Sequence, residues 1–276
     1  MGIGFDITTG IAKDWHAAMA ALAWQVDLGV TEVIGEAPVN RYDLTEAVSP
    51  AMRDKPAAVA VAVATQAVLP VAMDAVAAAT RAALICDTPD ALRAALAGFD
   101  LCDLKKGARA LVFAAGNPQA RLMIIGDAPD RDEDRQGVPF AGRAGQLLDK
   151  MLAAIGLSRD AEAAAGAAYL TTALPWRPAA DREPTASDIA ILQPFLARHV
   201  ELIRPAVVIA MGNTACAALL GQRGLARLRG QWADFQGIPV LPMTHPSALL
   251  RTPSAKREAW ADLLAVQARL TILETP

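Results

Sequence analysis

Cysteine is scarce in this sequence, and so are aromatic side chains. The 276 residues include 3 cysteines, and aromatic residues make up 5% of the chain. Cys86, Cys102 and Cys216 lie far apart, which argues against a disulfide framework and against the closely spaced pairs of a metal knuckle. We interpret all of them as small buried apolar residues.

Long hydrophobic runs are also missing. Hydrophobic residues make up 54% of the chain and the mean hydropathy is +0.28, but alanine supplies much of that fraction. The richest stretch, residues 56–84, is interrupted by Gln66, Pro70, Asp74 and Arg81, so it falls short of the roughly 18–20 apolar residues of a membrane helix. The first residues lack the basic-then-apolar order of a signal peptide. The sequence therefore predicts a soluble cytoplasmic protein without a membrane partner.

Charge is unevenly distributed along the chain. The formal net charge is −3, yet residues 1–100 contain 6 basic and 12 acidic residues, whereas residues 101–276 contain 20 and 17. An acidic first part and a mildly basic second part are compatible with nucleic-acid binding by the second part alone.

The first 95 residues predict a helical, alanine-rich extension. The patterns indicate an amphipathic helix (11–30), a linker (36–56), an alanine-rich helix broken at Pro70 (57–84) and a short helix (88–97) that Thr88 or Asp90 would cap. We assign residues 1–95 to this extension and residues 96–276 to a separate domain.

From residue 101 onward, short apolar runs alternate with segments of helical period. The predicted strands are 121–126, 167–174, 206–211 and 238–243, and the predicted helices are 143–155, 185–203, 213–220 and 254–270. This alternation predicts a three-layer α/β/α sandwich with a central four-stranded parallel sheet. Ligands of such sheets bind beyond the carboxyl ends of the strands. The candidate site therefore comprises the loops 126–142, 172–184, 212–214 and 244–253.

Three of these loops contain distinctive segments: GDAPDRDEDRQGVPFAGRAGQLLD at 126–149, YLTTALPWRP at 169–178 and THPSALLR at 244–251. With GNP at 116–118 and LIRP at 202–205, they resemble in order and spacing the uracil-DNA glycosylase superfamily, above all its iron–sulfur branch, family 4. The resemblance spans residues 102–264. It implies a monomeric glycosylase that hydrolyses the N-glycosidic bond of uracil, or of a related deaminated base, in DNA during base excision repair.

The resemblance assigns the catalytic work to Asp127 and His245. An enzyme of this kind flips the nucleotide out of the DNA stack, and negative charge then develops on the departing base. His245 would donate a hydrogen bond to O2 of the base. Asp127, where family 4 carries a glutamate, would steady the sugar cation and orient the attacking water. From the residues alone, a capping or packing role stays open for each.

The resemblance places Ala128, Asp130, Phe140 and Thr172 in the base pocket. Phe140 would stack on the flipped base, with simple core packing as the alternative. Thr172 stands where family 4 has a uracil-reading asparagine, and a hydroxyl cannot supply the paired amide pattern, so we expect weaker uracil discrimination. Asp130 replaces a glycine, and its carboxylate could narrow the pocket, repel phosphate or activate water.

A further set of residues would contact DNA around the lesion. Leu249, or Leu250 beside it, would fill the space left by the flipped nucleotide, unless both belong to the core. The remaining candidates, which would contact phosphates or lie beside them, are Ser247, Arg251, Lys256, Arg257, Arg177 and Arg182. A solvated surface role stays open for each basic residue, as does pairing of the two 177–182 arginines with the acidic cluster 132–134.

Family 4 binds a [4Fe-4S] cluster through four cysteines, and this sequence retains one of them. Cys102 matches the second cysteine, whereas the other positions hold Phe99, Trp176 and Leu192. One thiolate cannot hold such a cluster, so we predict no cluster and no other metal, with a hydrophobic plug in its place. The helical N-terminal extension would cover this plug; a partner-binding or merely tethered segment is the alternative.

These departures leave alternatives of other classes open. A non-catalytic relative that binds DNA or a protein on the same scaffold would tolerate the loss of the base-reading asparagine and the presence of Asp130. A different hydrolase on this fold is also compatible with the sequence. Retention of Asp127, His245 and Phe140 favours the glycosylase.

Overall fold

A computed structural model of the chain describes residues 70–273, with side chains from residue 74 onward. The predicted helix at 11–30, the linker at 36–56 and the first part of the alanine-rich helix lie outside the described residues.

Helices and short strands alternate along the described chain. The α-helices are α1 (Pro70–Leu84), α2 (Pro89–Ala97), α3 (Leu104–Gly107), α4 (Arg131–Gln136), α5 (Gly142–Ala154), α6 (Ala186–Ile203), α7 (Asn213–Leu220), α8 (Leu225–Leu228), α9 (Pro246–Arg251) and α10 (Lys256–Ile272). The strands are β1 (Ala114–Gly116), β2 (Leu122–Gly126), β3 (Ala168–Thr172), β4 (Val207–Met211), β5 (Ala233–Phe235) and β6 (Ile238–Met243). Within residues 70–273, no helix is long and apolar enough to cross a membrane.

The strands form one six-stranded sheet in the order β1-β3-β2-β4-β6-β5. The four inner strands run parallel, as predicted, with Ile124 opposite both Leu170 of β3 and Ile209 of β4. Two antiparallel strands, β1 and β5, extend the sheet at its edges. The sequence analysis missed them because each has only 3 residues, too few to show a period.

Side chains of the inner strands alternate between two apolar cores, one on each face of the sheet. On β2, Met123 and Ile125 belong to the first core, which also receives α1, α2, α6 and α7. Leu122 and Ile124 belong to the second core, which receives α5, α9 and α10. The predicted three-layer α/β/α sandwich is therefore confirmed.

The helices that precede residue 98 are built into the first core. On α1, Ala75, Ala79 and Ala83 are buried at a spacing of four residues, and on α2 Leu92 and Leu96 are buried. Small alanine side chains let α1 lie close to α6, so this part of the predicted extension packs as part of the α/β domain. The structure shows no packing boundary at residue 95.

Two helix starts follow from side-chain caps that the sequence indicates. Thr88 accepts a hydrogen bond from the backbone N–H of Ala91 at 3.1 Å, which fixes the start of α2. Thr185 accepts one from Asp188, whose carboxylate in turn accepts from the Thr185 backbone N–H. This reciprocal capping box satisfies two free donors at the start of α6.

Candidate active site

The carboxyl ends of the four parallel strands bring the predicted catalytic loops to one edge of the sheet. Asp127 directly follows β2, Thr172 ends β3, Gly212 follows β4 and His245 lies two residues beyond β6. Because β2 lies between β3 and β4, Asp127 occupies the middle of this edge.

Asp127 is held by the start of the helix that follows the neighbouring strand. Its Oδ1 accepts hydrogen bonds from the backbone N–H groups of Thr214 at 2.7 Å and Ala215 at 3.1 Å. These donors begin α7, where the helix dipole favours negative charge. Burial raises the pKa of Asp127, and the neighbouring His245 and both N–H groups oppose that rise. A carboxylate accepts about four hydrogen bonds, so Asp127 retains capacity to orient a water molecule.

Gly212 leaves room for this carboxylate. Its φ of 106° lies in a region that L-residues rarely adopt, and a Cβ on it would overlap the Asp127 carboxylate. We therefore expect Gly212→Ala to displace Asp127, to slow any Asp127-dependent reaction at least 100-fold and to lower the free energy of unfolding by about 2 kcal/mol. Single-turnover kinetics and thermal unfolding test this. Gly156→Ala is the matched control, because its φ is also positive but nothing lies within 4 Å of the added Cβ; an unaltered rate in Gly212→Ala would contradict the expectation.

Ser247 fixes the orientation of the His245 imidazole. The backbone N–H of Ser247 donates to Nδ1 of His245 at 3.3 Å, and the Ser247 hydroxyl lies 2.9 Å from the same nitrogen. An Nδ1 that accepts a hydrogen bond places the proton of a neutral imidazole on Nε2. Burial lowers the pKa of His245, and Asp127 only partly opposes this. His245 is therefore a neutral side chain that presents an Nε2–H donor.

The Phe140 ring stacks on His245 in a strained turn. The ring centroids lie 5.4 Å apart with an interplanar angle of 20°, and Phe140 has a φ of 51°, which is uncommon for a bulky residue. Its backbone N–H donates to the Glu133 carboxylate, and its carbonyl accepts from Arg159 at 3.3 Å. Gly126 leaves room for the Phe140 ring, because a Cβ on Gly126 would lie 2.7 Å from that ring. Phe140 is 2% exposed and packs in the second core beside His245, as in the core-packing alternative.

Glu133 is a functional candidate that the sequence analysis missed. It is buried, and its two oxygens accept from the backbone N–H groups of Phe140 and Asp130. It thereby ties the Phe140 turn to the start of α4. Burial raises the pKa of Glu133 to about 7.

A raised carboxyl pKa predicts how Glu133 affects stability. The unfolded group titrates near 4.5 and the folded one near 7, so its contribution to stability is greatest below pH 4.5 and falls as the pH rises towards 7. The difference in free energy of unfolding between wild type and Glu133→Gln should therefore shrink by up to about 3 kcal/mol across that interval. Urea unfolding at several pH values measures it. A difference that is constant, or that grows with pH, would contradict this prediction.

The Thr172 hydroxyl makes a hydrogen bond within the turn that follows its own strand, β3. Its Oγ1 donates to the carbonyl of Leu174 at 2.7 Å, and the residue is buried. This hydroxyl supports the turn after β3 and is not free to replace the missing amide.

Thr172→Val tests that placement. We expect a loss of about 1–3 kcal/mol in the free energy of unfolding, because the Leu174 carbonyl loses a buried partner. Base release, measured in single turnover at saturating enzyme, should stay within about threefold of wild type. A large fall in rate at unchanged stability would show instead that the hydroxyl contacts the base.

Asp130 has a structural role that none of the sequence alternatives included. Its carboxylate caps α4 by accepting from the backbone N–H groups of Asp132 at 2.8 Å and Glu133 at 2.9 Å. It also lines, with Asp127, Ala128, Arg182 and Thr214, a cavity of about 420 Å³. We call this space the Asp127 cavity. Of the predicted pocket residues, Ala128 and Asp130 line this cavity, whereas Phe140 and Thr172 do not. At least one carboxylate oxygen of Asp130 is already engaged.

The predicted DNA-contacting residues occupy different environments. Leu249 is 1% exposed and packs in the second core, whereas Leu250 is 37% exposed. Leu249 thus takes the core position that the sequence left open for either leucine, and Leu250 is the more exposed of the two. Arg251, Lys256 and Arg257 are exposed, at the end of α9 and the start of α10.

The two arginines after β3 are engaged in ion pairs. Arg177 donates to Asp181 at 2.8 Å and lies 4.0 Å from Asp134, which matches the alternative of pairing with the acidic cluster. Arg182 donates to Asp188 at 2.7 Å. Each would have to exchange a carboxylate for a phosphate in order to contact DNA.

Comparison with known proteins agrees with this arrangement. Residues 113–264, more than half of the chain, match the model of the uracil-DNA glycosylase superfamily. The chain belongs to this superfamily. It is 34% identical over 170 residues to the type-4 uracil-DNA glycosylase of Archaeoglobus fulgidus, covering 58% of this chain and 82% of the relative. It is 33% identical over 156 residues to that of Thermotoga maritima, covering 55% and 78%. These relatives place it in the type-4 branch.

The match extends to a second branch at similar identity. The type-5 uracil-DNA glycosylase of Pyrobaculum aerophilum is 33% identical over 162 residues, covering 54% of this chain and 71% of the relative. Both sets of relatives match little more than half of this chain.

The four positions that the resemblance assigns to cluster cysteines do not provide the ligands of an iron–sulfur cluster here. Cys102, Phe99, Trp176 and Leu192 are all buried in the first core. Among these four residues only Cys102 has a thiol, and burial raises its pKa to about 11, so it is protonated. The other three side chains offer no metal ligand. Among the described residues, no group of three or more His, Cys, Asp or Glu side chains could hold a metal ion. The donor set does not fit a [4Fe-4S] cluster.

Proposed function

We propose that this protein is a uracil-DNA glycosylase that releases uracil, or a related deaminated base, from DNA in base excision repair. The observation that carries the proposal is the pairing of a neutral, Ser247-oriented His245 with a carboxylate, Asp127, at the same sheet edge. The type-4 and type-5 relatives, which are named uracil-DNA glycosylases, support it.

His245 stabilises the departing base in this mechanism. The bond between C1′ of the sugar and N1 of the base breaks, and its electron pair leaves with the base. The Nε2–H of a neutral imidazole donates to the oxyanion that forms at O2. A neutral donor is effective because it keeps its proton and needs no counter-charge in the buried site. In this proposal the Phe140 ring, stacked on His245, contacts the flipped base.

Asp127 serves the sugar side of the reaction. Its negative charge stabilises the positive charge that develops on the sugar, and it orients a water molecule whose oxygen bonds to C1′. The carboxylate accepts a proton from this water as the bond forms. The products are the free base and an abasic site. Anchoring by the Thr214 and Ala215 N–H groups fixes Asp127 before the substrate arrives, so no reorganisation is required during the reaction.

We also propose that the enzyme acts without an iron–sulfur cluster. In this proposal the apolar plug performs the cluster's structural role: Phe99 packs edge-on against Phe195 at 5.2 Å between ring centroids, and Trp176 and Leu192 lie in the same core. Helices α1 and α2 add their buried faces to that core. Protein purified without oxygen should contain fewer than about 0.1 iron atoms per chain. A stoichiometric iron and acid-labile sulfide content would overturn this part of the proposal.

The substrate is DNA with the target nucleotide flipped out, bound by a monomer. Leu250 would enter the vacated space, and Arg251, Lys256 and Arg257 would bind phosphates beside it. Their exposure on adjacent turns, α9 and α10, supports this assignment.

Base release from defined oligonucleotides tests the proposed function. The full-length chain is mixed in excess with single- and double-stranded oligonucleotides that carry one uracil, and the released base is identified by mass. The expected result is release of uracil and none from the matched thymine oligonucleotide. Clean folding and DNA binding without release of any base, hypoxanthine and xanthine included, would contradict the activity and favour the non-catalytic DNA-binding alternative.

A further inference from the structure

A second cavity beside the Asp127 cavity is rich in arginine. It has a volume of about 620 Å³, and its lining includes Arg109, Arg131, Arg135 and Arg177. Asp181 lines both cavities, so the two spaces are adjacent. We call this second space the arginine cavity.

The carboxylates of the arginine cavity are already engaged. Asp132 accepts from Arg135 at 3.2 Å, and Asp181 accepts from Arg177 at 2.8 Å. Asp134 is buried and accepts from the backbone N–H groups of Arg109 at 2.8 Å and Ala110 at 3.3 Å. Its role is therefore to anchor the backbone at Arg109, at the cavity wall.

Two guanidinium groups remain without such a partner. Within residues 74–273, the side chains of Arg109 and Arg131 make no hydrogen bond or ion pair, and both are exposed. Arg131 is the first residue of α4, fixed there by the Asp130 cap. It acts on the cavity electrostatically, because together with Arg177 it lowers the pKa of Asp181. Two positive charges that line one cavity favour an anion between them.

We propose that Arg109 and Arg131 form a binding site for a backbone phosphate of the DNA strand that carries the target base. A guanidinium binds phosphate oxygens through two parallel N–H groups, and the cavity opens beside the space that contains Asp127. The strand whose nucleotide enters the Asp127 cavity thus brings a neighbouring phosphate to these arginines. This inference rests on the proposed function, and it adds a contact on the α4 side of the pocket, separate from the basic residues of α9 and α10.

The salt dependence of DNA binding tests the site. The affinity of Arg109→Gln/Arg131→Gln for a fluorescent single-stranded oligonucleotide is measured from about 50 to 300 mM salt. Because each lost contact to a single strand removes about 0.7 from the slope of log affinity against log salt, the slope should fall by about 1.4. Affinity at the lowest salt should weaken about tenfold. The matched control is Arg81→Gln/Arg93→Gln, which removes the same charge from exposed residues of α1 and α2 that line neither cavity.

The outcomes separate this site from the proposed function. Uracil release by the control variant Arg81→Gln/Arg93→Gln should stay within about twofold of wild type, since neither residue lines either cavity. Inorganic phosphate at millimolar concentration should compete with DNA less well in the double variant than in wild type. If the double variant matches the control in affinity and slope, the phosphate site is overturned even when wild type releases uracil. If wild type releases no base but the slope still falls, the site stands and the glycosylase activity fails.

Discussion

Replacing Asp127 with asparagine should slow base release about 10³-fold while leaving the fold intact. The asparagine carbonyl can still accept from the Thr214 and Ala215 N–H groups, so the geometry at the start of α7 is preserved. What is lost is the negative charge that stabilises the sugar cation and the acceptor that takes the proton of the water. General-base and electrostatic contributions of this kind are worth about 10²–10⁴ in rate. The rate constant is measured in single turnover at saturating enzyme, so that a change in DNA affinity does not enter.

The control for this variant is Asp87→Asn, which removes one carboxylate charge from an exposed position after α1. It should release uracil at the wild-type rate. Because burial raises the pKa of Asp127, the wild-type rate should also decline when the pH falls through the pKa of this group, and the decline should be missing in Asp127→Asn. A rate for Asp127→Asn within about threefold of wild type would contradict the assigned role.

His245→Ala should reduce the rate of base release about 10²–10³-fold, the usual effect of removing one donor to a developing oxyanion. DNA affinity should change much less, because the hydrogen bond to O2 strengthens only as the bond to the sugar breaks. His245→Gln, which retains an N–H donor, should recover part of the rate. Equal rates for the glutamine and alanine variants would indicate that the donor is not what His245 contributes.

The protonation state of His245 gives this prediction a second measurement. Burial lowers its pKa, so the imidazole is neutral at and above its ordinary pKa of about 6.5. The His245-dependent part of the rate should therefore not increase as the pH falls from 8 to 6.5. An increase over this interval would mean that a cationic imidazole is the active form.

The inner sheet and the loops of the candidate site could be predicted from the sequence because the signals for them are local. The predicted bounds of the helix Asn213–Leu220 and the strand Ile238–Met243 agree with the structure, because a glycine or a loop punctuates a clear apolar pattern in each. The position of Asp127 and His245 at one sheet edge followed from the rule that parallel strands share their carboxyl ends.

The structural roles of Glu133 and Asp130 could not be predicted from the residue types alone. Residues 130–135 are all charged, yet Glu133 is buried, and its carboxylate accepts from the backbone N–H of Phe140. A signal for part of this was present, since an Asp followed three residues later by a Glu is a capping-box pattern. The burial itself comes from contacts with residues outside the helix, which no local pattern reports.

The sequence also could not predict which of Leu249 and Leu250 enters the core. Adjacent residues at a short helix end have equal hydrophobicity, and only the packing of α5 and α10 decides which one enters the core. The edge strands β1 and β5 were missed because 3 residues are too few to show alternation.

The most direct test of cluster-free glycosylase activity is uracil release by protein whose iron and sulfide content has been measured in the same preparation. We expect that iron-free, folded protein releases uracil from a single-uracil oligonucleotide, and that His245→Ala and Asp127→Asn lose this activity. Absence of release from iron-free protein, or release that appears only after iron and sulfide are added, would contradict it.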